Sequence, residues 1–339
     1  MIITRTPMRI SFIGGGTDIP SYYQSEHRVG TVVNATIDKY VYITVSKQFD
    51  ASLWRASYST TEVVDDFTKL RHTRFREALR LMGIEHGVEI TSVADVPSGT
   101  GLGSSSSCSV GVLSALSHYT GNPLWGIQLA EAACKLEIDI LKEPIGKQDQ
   151  YAATVGSLRR YEFYPDHVDI SPQVDYFTHN LLRGDRAERL RSHLLLFYIG
   201  GRRDASRILK SQEQRITGNL PQLDKLATLA TKFYNVLIHD ESEYNELGEI
   251  MHAGWEIKRE LAEGITNRAV DECYTQARKA GAIGGKLLGA GGTGFLLLFC
   301  EPKKQAEVRN SLQGFREIEF QFDNSGCTVI YNDAHRQMS

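Results

Sequence analysis

A stretch of glycine and hydroxyl residues, PSGTGLGSSSS at 97–107, has the composition of a backbone left bare for a ligand. Glycine lets a ligand approach main-chain N–H groups closely, and serine hydroxyls can donate to an oxyanion or bind a divalent cation. The apolar pattern that follows predicts a helix over 104–119, whose N-terminus exposes unpaired N–H groups and a partial positive charge. The stretch therefore predicts a phosphate site.

A flexible surface loop capped by Ser104 is the competing interpretation, since linkers have a similar composition. The position of the stretch argues against a linker, because an alternating strand pattern at 88–96 precedes it and a strongly patterned helix follows. The stretch also lacks the Lys-Ser or Lys-Thr ending of a P-loop, which disfavours a Walker-type NTPase.

Two further glycine-rich turns occur, GGGTD at 14–18 and KLLGAGGTGF at 286–295. Each alone is weak evidence, because glycine is common in turns. The three stretches in this order resemble the GHMP kinase superfamily of galactokinases, homoserine kinases, mevalonate kinases and phosphomevalonate kinases. The resemblance covers the whole chain and implies that 97–107 wraps the triphosphate of ATP.

Within that superfamily the segment RISFIGGGTD at 9–18 lacks the Gly-Glu-His of galactokinases. It is similar to the kinases that act on D-glycero-D-manno-heptose 7-phosphate, with fucokinases as near relatives, and so are GKQDQ at 146–150 and GGRRDAS at 200–206. Small departures are Ser106, Ser107 and Thr293, which still leave room for a phosphate. This resemblance implies phosphorylation of the anomeric hydroxyl to the 1,7-bisphosphate, in nucleotide-activated heptose biosynthesis.

The resemblance also implies the nucleotide-binding residues. They are Pro97, Gly99, Gly101, Leu102, Gly103, Ser104, Ser105 and Ser106. Mg²⁺ prefers oxygen ligands, and Ser105 with Glu137 is the predicted pair, with Asp139 as a rival and a solvated helix face as the alternative for Glu137.

For the reaction itself, the resemblance implies that Asp149 in the GKQDQ segment is the base, and a helix N-cap is its alternative role. Arg9 is predicted beside it, where a permanent cation keeps Asp149 ionised and offsets transition-state charge, although a surface ion pair would also explain it.

The predicted acceptor residues are Gly15, Gly16, Thr17 and Asp18, with Asp18 accepting from sugar hydroxyls, and Arg203 holding a substrate phosphate. An N-cap is the alternative role for Asp18, and solvated surface is the alternative for Arg203 and its neighbour Arg202. Trp54 and Tyr58 could flank adenine, but core packing is the favoured prediction for such aromatic residues.

These residues need a scaffold of mixed strands and helices. Alternating patterns predict strands over 1–13 and 36–47, whereas helical patterns predominate after a nearly continuous apolar strand at 193–199. Strands and helices mix without regular βαβ alternation, which favours an α+β class. The resemblance implies two domains, an N-terminal ATP-binding domain over 1–180 and a ferredoxin-like α+β domain over 181–339.

Composition bounds the remaining possibilities. The 339 residues carry a formal net charge of -3, so no basic field indicates nucleic acid. The apolar runs are too short to span a bilayer, no signal-peptide pattern opens the chain, and the five cysteines are never spaced as CxxC. We expect a cytoplasmic protein whose partners are ATP, Mg²⁺ and a sugar phosphate. A homodimer is allowed, and the sequence does not decide the oligomeric state.

Three other functions share parts of this pattern: a kinase for a free sugar such as fucose or galactose, a non-catalytic sugar sensor of the same fold, and an ATP-dependent decarboxylase. The sensor is disfavoured because Asp149, Arg9 and Glu137 are all present. The GGGTD turn favours a polyol over the acid that a decarboxylase would bind.

Overall fold

The computed structural model describes residues 1–25, 27–172, 186–200, 205–239 and 244–333. Strands and helices combine into two sheets whose strand pairs are almost all antiparallel, which confirms the predicted α+β class. Within these residues no helix combines the length and the apolar character that crossing a bilayer would require.

The first sheet has eight strands. They are β1 (Ile2–Ile13), β2 (Gly30–Lys47), β3 (Trp54–Ser57), β4 (Thr61–Val64), β5 (Val88–Ala94), β6 (Leu158–Phe163), β7 (Val168–Ile170) and β12 (Thr328–Asn332). Their order is β12-β1-β2-β5-β3-β4, and β6 pairs with the first half of β2 and carries β7 on its other edge. Strand β12 thus pairs with β1 in the same sheet, although the predicted boundary at 180 assigns the two strands to different domains.

The second sheet has four antiparallel strands, ordered β11-β8-β10-β9. They are β8 (Leu194–Tyr198), β9 (Gly284–Leu287), β10 (Phe295–Phe299) and β11 (Arg316–Glu317). The five apolar residues of β10 are all buried because the strand lies between two neighbours and under helices. This continuous apolar pattern is what a fully buried strand requires.

The helices connect and cover these sheets. They are α1 (Pro20–Tyr23), α2 (Thr73–Leu81), α3 (Ser104–Tyr119), α4 (Gly126–Cys134), α5 (Gln148–Val155), α6 (Arg186–Ser192), α7 (Ala205–Gln214), α8 (Leu220–His239), α9 (Glu246–Glu260), α10 (Arg268–Lys279) and α11 (Gln305–Ser311). Helix α3 has the predicted bounds. Helix α4 continues into a π-helical segment, Lys135–Ile140.

Helix α3 packs closely on the first sheet, and Gly111 makes this possible. A Cβ atom at Gly111 would lie 2.8 Å from the hydroxyl oxygen of Thr6 on β1. Close backbone approach fixes the N-terminus of α3 directly beside the middle of β1, where the candidate site lies.

Candidate active site

A cavity of about 380 Å³ lies where the three glycine-rich turns meet. The second and third turns are in backbone contact, since a Cβ atom at Gly101 would lie 2.5 Å from the carbonyl oxygen of Leu288. One at Gly294 would lie 2.3 Å from the carbonyl oxygen of Thr100. Both glycines have a positive φ, so any other residue would meet steric and conformational strain.

The N-terminus of α3 opens into this cavity. Gly103 precedes the helix with φ +74°, and no side chain in the described part of the chain caps it. Ser104, Ser105 and Ser106 line the cavity together with Ser98 and the glycines of the turn. A sixteen-residue helix whose first N–H groups are left without a side-chain acceptor offers its partial positive charge to an anion.

Arg9 and Asp149 form an ion pair at the base of the cavity. The Arg9 Nε donates to Asp149 Oδ1 at 2.7 Å, and Nη2 donates to Oδ2 at 2.6 Å. The remaining Nη1 donates to the carbonyl oxygen of Gly101 at 2.6 Å, which ties the pair to the second turn. Arg9 is 5% exposed, so the pair is not the surface ion pair considered above.

Asp149 is the second residue of α5, and Lys147 holds the N-cap position. The N-cap role considered for Asp149 is therefore not observed. A Cβ atom at Gly103 would lie 3.3 Å from Asp149 Oδ2, which places this carboxylate next to the N-terminus of α3. The N-terminus of α3, which could bind a phosphate, and a carboxylate that could accept a proton therefore face the same space.

Glu137 lies behind the cavity wall and is fully buried, so it is not a solvated helix face. Its carboxylate accepts hydrogen bonds from four side chains, Arg74 Nε at 3.2 Å, Ser106 Oγ at 2.8 Å, Ser109 Oγ at 2.9 Å and Gln150 Nε2 at 2.5 Å. These donors occupy the lone pairs of the carboxylate. Glu137 therefore engages Ser106 rather than Ser105, and its rival Asp139 is exposed.

This arrangement limits how Mg²⁺ can bind. Among the described residues no group of three or more His, Cys, Asp or Glu side chains could hold a cation. Of the predicted pair, only Ser105 lines the cavity, and Glu137 does not fit as a direct ligand while its four donors stay in place. A Mg²⁺ ion arriving with ATP would take most of its oxygen ligands from phosphate and water, as this ion usually does.

Arg74 and Glu143 line the cavity and were not predicted from the sequence. The Arg74 Nη2 donates to both oxygens of Glu143 at 2.6 Å, while its Nε reaches Glu137. Burial raises the pKa of Glu143, and the Arg74 cation opposes that shift. Neither residue belongs to a glycine-rich motif, so only the fold brings α2 to this wall.

Asp18 lines the same cavity and is 2% exposed. Its Oδ1 accepts from the Gly16 N–H at 2.9 Å and its Oδ2 from the Gln148 N–H at 3.2 Å. Burial raises the pKa of Asp18, and the negative charge of Asp149 raises it further. A Cβ atom at Gly146 would lie 2.0 Å from Asp18 Oδ2, so this carboxylate requires the glycine of the GKQDQ segment.

Three uncharged polar atoms around Asp18 are buried and have no hydrogen-bond partner among the described residues. They are Ser11 Oγ, Gln148 Oε1 and Gln212 Nε2, and all three residues line the cavity. Gln212 comes from α7 in the second half of the chain, and its amide rests on the first turn, 2.9 Å from where a Cβ atom of Gly16 would lie. Buried polar atoms are normally paired, so these three indicate a polar ligand.

Lys258 from α9 and Lys286 from β9 complete the wall. The Lys258 Nζ donates to the carbonyl oxygen of Gly289 at 3.1 Å and lies 3.4 Å from where a Cβ atom of Gly15 would be. Burial lowers the pKa of Lys286 well below its ordinary value, and the positive charges of Lys258 and Arg9 add to that effect. Lys286 belongs to the third glycine-rich turn, and no role for it was predicted from the sequence.

Several predicted site residues do not reach the cavity. Thr17 donates its hydroxyl to the carbonyl oxygens of Gly14 and Thr31, so it stabilises the turn instead of facing a ligand. Leu102 is fully buried in the core, because the turn needs an apolar anchor between its glycines. Pro97 and Gly15 are not part of the cavity wall either.

The remaining predicted residues fall elsewhere. Trp54 packs against Phe67, and Tyr58 packs edge-on against Phe75, so both aromatic rings serve the core, as favoured above. Arg203 and its neighbour Arg202 lie outside the described residues.

Comparison with known proteins identifies the class that this fold and site define. The pattern of the GHMP kinases N terminal domain matches residues 69–157, and that of the GHMP kinases C terminal matches residues 237–316. The chain belongs to the GHMP kinases, as the glycine-rich turns predicted.

Individual relatives are similar along the whole chain. The D-glycero-alpha-D-manno-heptose 7-phosphate kinase of Campylobacter jejuni is 29% identical, over 96% of this chain and 97% of its own. A crystal structure of a D-glycero-D-manno-heptose 1-phosphate kinase from Bacteroides thetaiotaomicron has a TM-score of 0.77 at 24% identity, covering 98% of this chain and all of its own. A putative sugar kinase from Campylobacter jejuni has a TM-score of 0.68 at 26% identity, with 97% of both chains covered.

Proposed function

We propose that this protein is an ATP-dependent sugar kinase that phosphorylates the anomeric hydroxyl of D-glycero-D-manno-heptose 7-phosphate, giving the 1,7-bisphosphate for nucleotide-activated heptose biosynthesis in the cytoplasm. One observation carries the proposal: three polar atoms without a hydrogen-bond partner among the described residues, on Ser11, Gln148 and Gln212, line the cavity with Asp18 and the Arg9–Asp149 pair. A polyol supplies both donors and acceptors, so it can satisfy the amides, the hydroxyl and the carboxylate together.

The nucleotide half of the cavity supports ATP as the donor. The glycines of the second turn and the N-terminus of α3 provide N–H groups for the phosphates. Mg²⁺, when bound with ATP, neutralises charge on the phosphate oxygens, and Ser105 is the hydroxyl that we propose as its protein ligand. We assign Glu137 to holding Ser106 and Arg74 in place, which keeps the wall of this half fixed.

Asp149 accepts the proton of the acceptor hydroxyl in this proposal. Both of its oxygens already accept from Arg9, but a carboxylate has lone pairs left for a further donor. Arg9 holds the carboxylate in position through two hydrogen bonds and lies close enough to offset charge on the transferred phosphoryl group. Phosphoryl transfer needs little else from a protein than such positioning and charge.

The acceptor is the finer part of the proposal, and the relatives supply its support. One relative's name specifies a heptose 7-phosphate and the other a heptose 1-phosphate, so the two names share the heptose phosphate and differ in position. We place the existing phosphate at position 7 because the anomeric hydroxyl would then be free for transfer, and because the segments at 9–18, 146–150 and 200–206 resemble those of the 7-phosphate kinases.

An ADP-release assay tests the acceptor. The panel is heptose 7-phosphate, unphosphorylated heptose, fucose and galactose, each with ATP and Mg²⁺, and product phosphorylation is located by ³¹P NMR. We expect the highest kcat/KM with heptose 7-phosphate and a new anomeric phosphate. A preference for fucose or galactose would support a free-sugar kinase instead, and binding of sugar without ADP release from any member would support a sensor.

A further inference from the structure

Lys286 is a buried amine that faces a ligand cavity without a partner. It is 4% exposed and lines the cavity, and it has no hydrogen bond or ion pair with any described residue. Burying an unpaired ammonium group is costly, which is why the pKa of Lys286 is low. A methionine or leucine would fill the same space on a core strand without the free-energy cost of burying an ammonium group. The presence of an amine at this position therefore indicates a ligand.

The charges around Lys286 show which kind of ligand it could take. Among the described residues the cavity wall carries four cationic side chains, Arg9, Arg74, Lys258 and Lys286, and three acidic ones, Asp18, Glu143 and Asp149. Arg9 is paired with Asp149, and Arg74 with Glu143. Asp18 is then the remaining carboxylate among these described wall residues, and it is already held by two backbone N–H groups.

We propose that Lys286, together with Lys258, forms a phosphate-binding subsite in this cavity. The ligand is either the phosphate that the acceptor already carries or the phosphoryl group that ATP transfers, which share the same chemistry. Two ammonium groups from different elements, α9 and β9, can each donate to a phosphate oxygen, and the anion removes their mutual repulsion. The inference rests on the kinase activity proposed above only for the identity of the phosphate.

Inorganic phosphate is the probe for the subsite itself. It is titrated by calorimetry into the protein saturated with ADP, so that the α3 N-terminus is filled and does not compete. Lys286→Met should weaken phosphate binding by about 10–100-fold, the usual value of one charge-assisted hydrogen bond. Lys279→Met, an exposed lysine at the end of α10, is the matched control and should bind phosphate like the wild type. Unchanged phosphate binding in Lys286→Met would overturn the proposal.

Steady-state kinetics distinguish the two sources of the phosphate. If the acceptor phosphate fills the subsite, Lys286→Met raises the KM for heptose 7-phosphate by about 10–100-fold and leaves the KM for unphosphorylated heptose unchanged. If the transferred phosphoryl group fills it, kcat falls equally with both sugars while both KM values hold. If phosphate binding depends on Lys286 but the protein phosphorylates no sugar, the proposed function is wrong and the proposed subsite is supported.

Thermal unfolding gives a readout that does not depend on turnover. Because the pKa of Lys286 is lowered in the folded protein, the unfolded chain binds more protons, and stability rises with pH towards the ordinary lysine pKa of 10.5. Lys286→Met should therefore raise the Tm most near neutral pH and least near pH 10, with Lys258, Arg9 and Asp18 the charged groups that set the shift. With ADP at saturation, phosphate should raise the Tm of the wild type and not that of Lys286→Met. Lys286→Gln repeats both measurements with a polar replacement, and a phosphate effect that persists in both variants counts against the subsite.

Discussion

The Asp149→Asn variant tests the assignment of the base. The substitution keeps the size of the side chain and removes its ability to accept a proton. General base catalysis is typically worth about 10²–10⁴ in rate, or about 2.7–5.4 kcal/mol of activation free energy. We expect kcat to fall by at least about 10². The ATP affinity, measured by calorimetry, should change by no more than the contribution of one charge-assisted hydrogen bond.

The structure adds a second consequence that shape alone does not reveal. Both oxygens of Asp149 accept from Arg9, so the amide nitrogen of an asparagine would face one of the two guanidinium donors. One charge-assisted hydrogen bond would be lost, and about 1.5–3 kcal/mol of the free energy of unfolding with it. The loss should lie at the low end, because the Asp149 side chain is 23% exposed and water can replace part of the contact.

A double-mutant cycle separates the two consequences. If Asp149 only holds Arg9 in position, Arg9→Met and Asp149→Asn lower kcat equally and the double variant falls no further. If Asp149 is the base, the double variant loses activity beyond Arg9→Met alone. Asp139→Asn, at an exposed carboxylate, is the control and should keep wild-type turnover. Near-normal kcat in Asp149→Asn would refute the assignment outright.

Three further predictions address other parts of the site. Gly103→Val should abolish ATP binding by calorimetry and lower the Tm, because its φ is positive, and Gly101→Val should lower the Tm further, because its side chain also meets a backbone carbonyl; equal Tm values in the two variants would contradict this. Gln212→Leu should raise the acceptor KM by about 2–10-fold, the value of a neutral hydrogen bond, with exposed Gln214→Leu unchanged. Arg203→Ala, predicted from the sequence, should raise the KM for heptose 7-phosphate only; an equal rise with free heptose would make Arg203 structural.

The parts of the site that follow one another along the chain could be predicted from the sequence. The bounds of α3 follow from an apolar pattern that starts directly after the glycine turn. Arg9 and Asp149, 140 residues apart, were paired in advance only through the family resemblance, since no local pattern links them. The structure gives that pairing its geometry, with two short hydrogen bonds.

Site residues that only tertiary packing brings to the cavity could not be predicted from the sequence. Arg74 and Gln212 lie on amphipathic helices whose patterns indicate only which face is buried. A single polar residue on such a face does not by itself indicate a binding site. Glu137 shows the same limit in reverse. It was predicted as a Mg²⁺ ligand, but it lies in the π-helical segment and is buried, and four side-chain donors occupy its carboxylate.

The charges of the cavity explain how it could bind ATP and a sugar phosphate at the same time. The paired cations, Arg9 and Arg74, are held in fixed positions by carboxylates and cost the fold little. No described side chain hydrogen-bonds Lys286, and Asp18 is the acidic group that favours its charge, so an entering anion would stabilise that charge further. Because the second and third turns touch through Gly101 and Leu288, the wall that we propose for the nucleotide also carries the strand of Lys286. A phosphate beside Lys286 would therefore stiffen that wall, and we expect the two ligands to favour each other's binding.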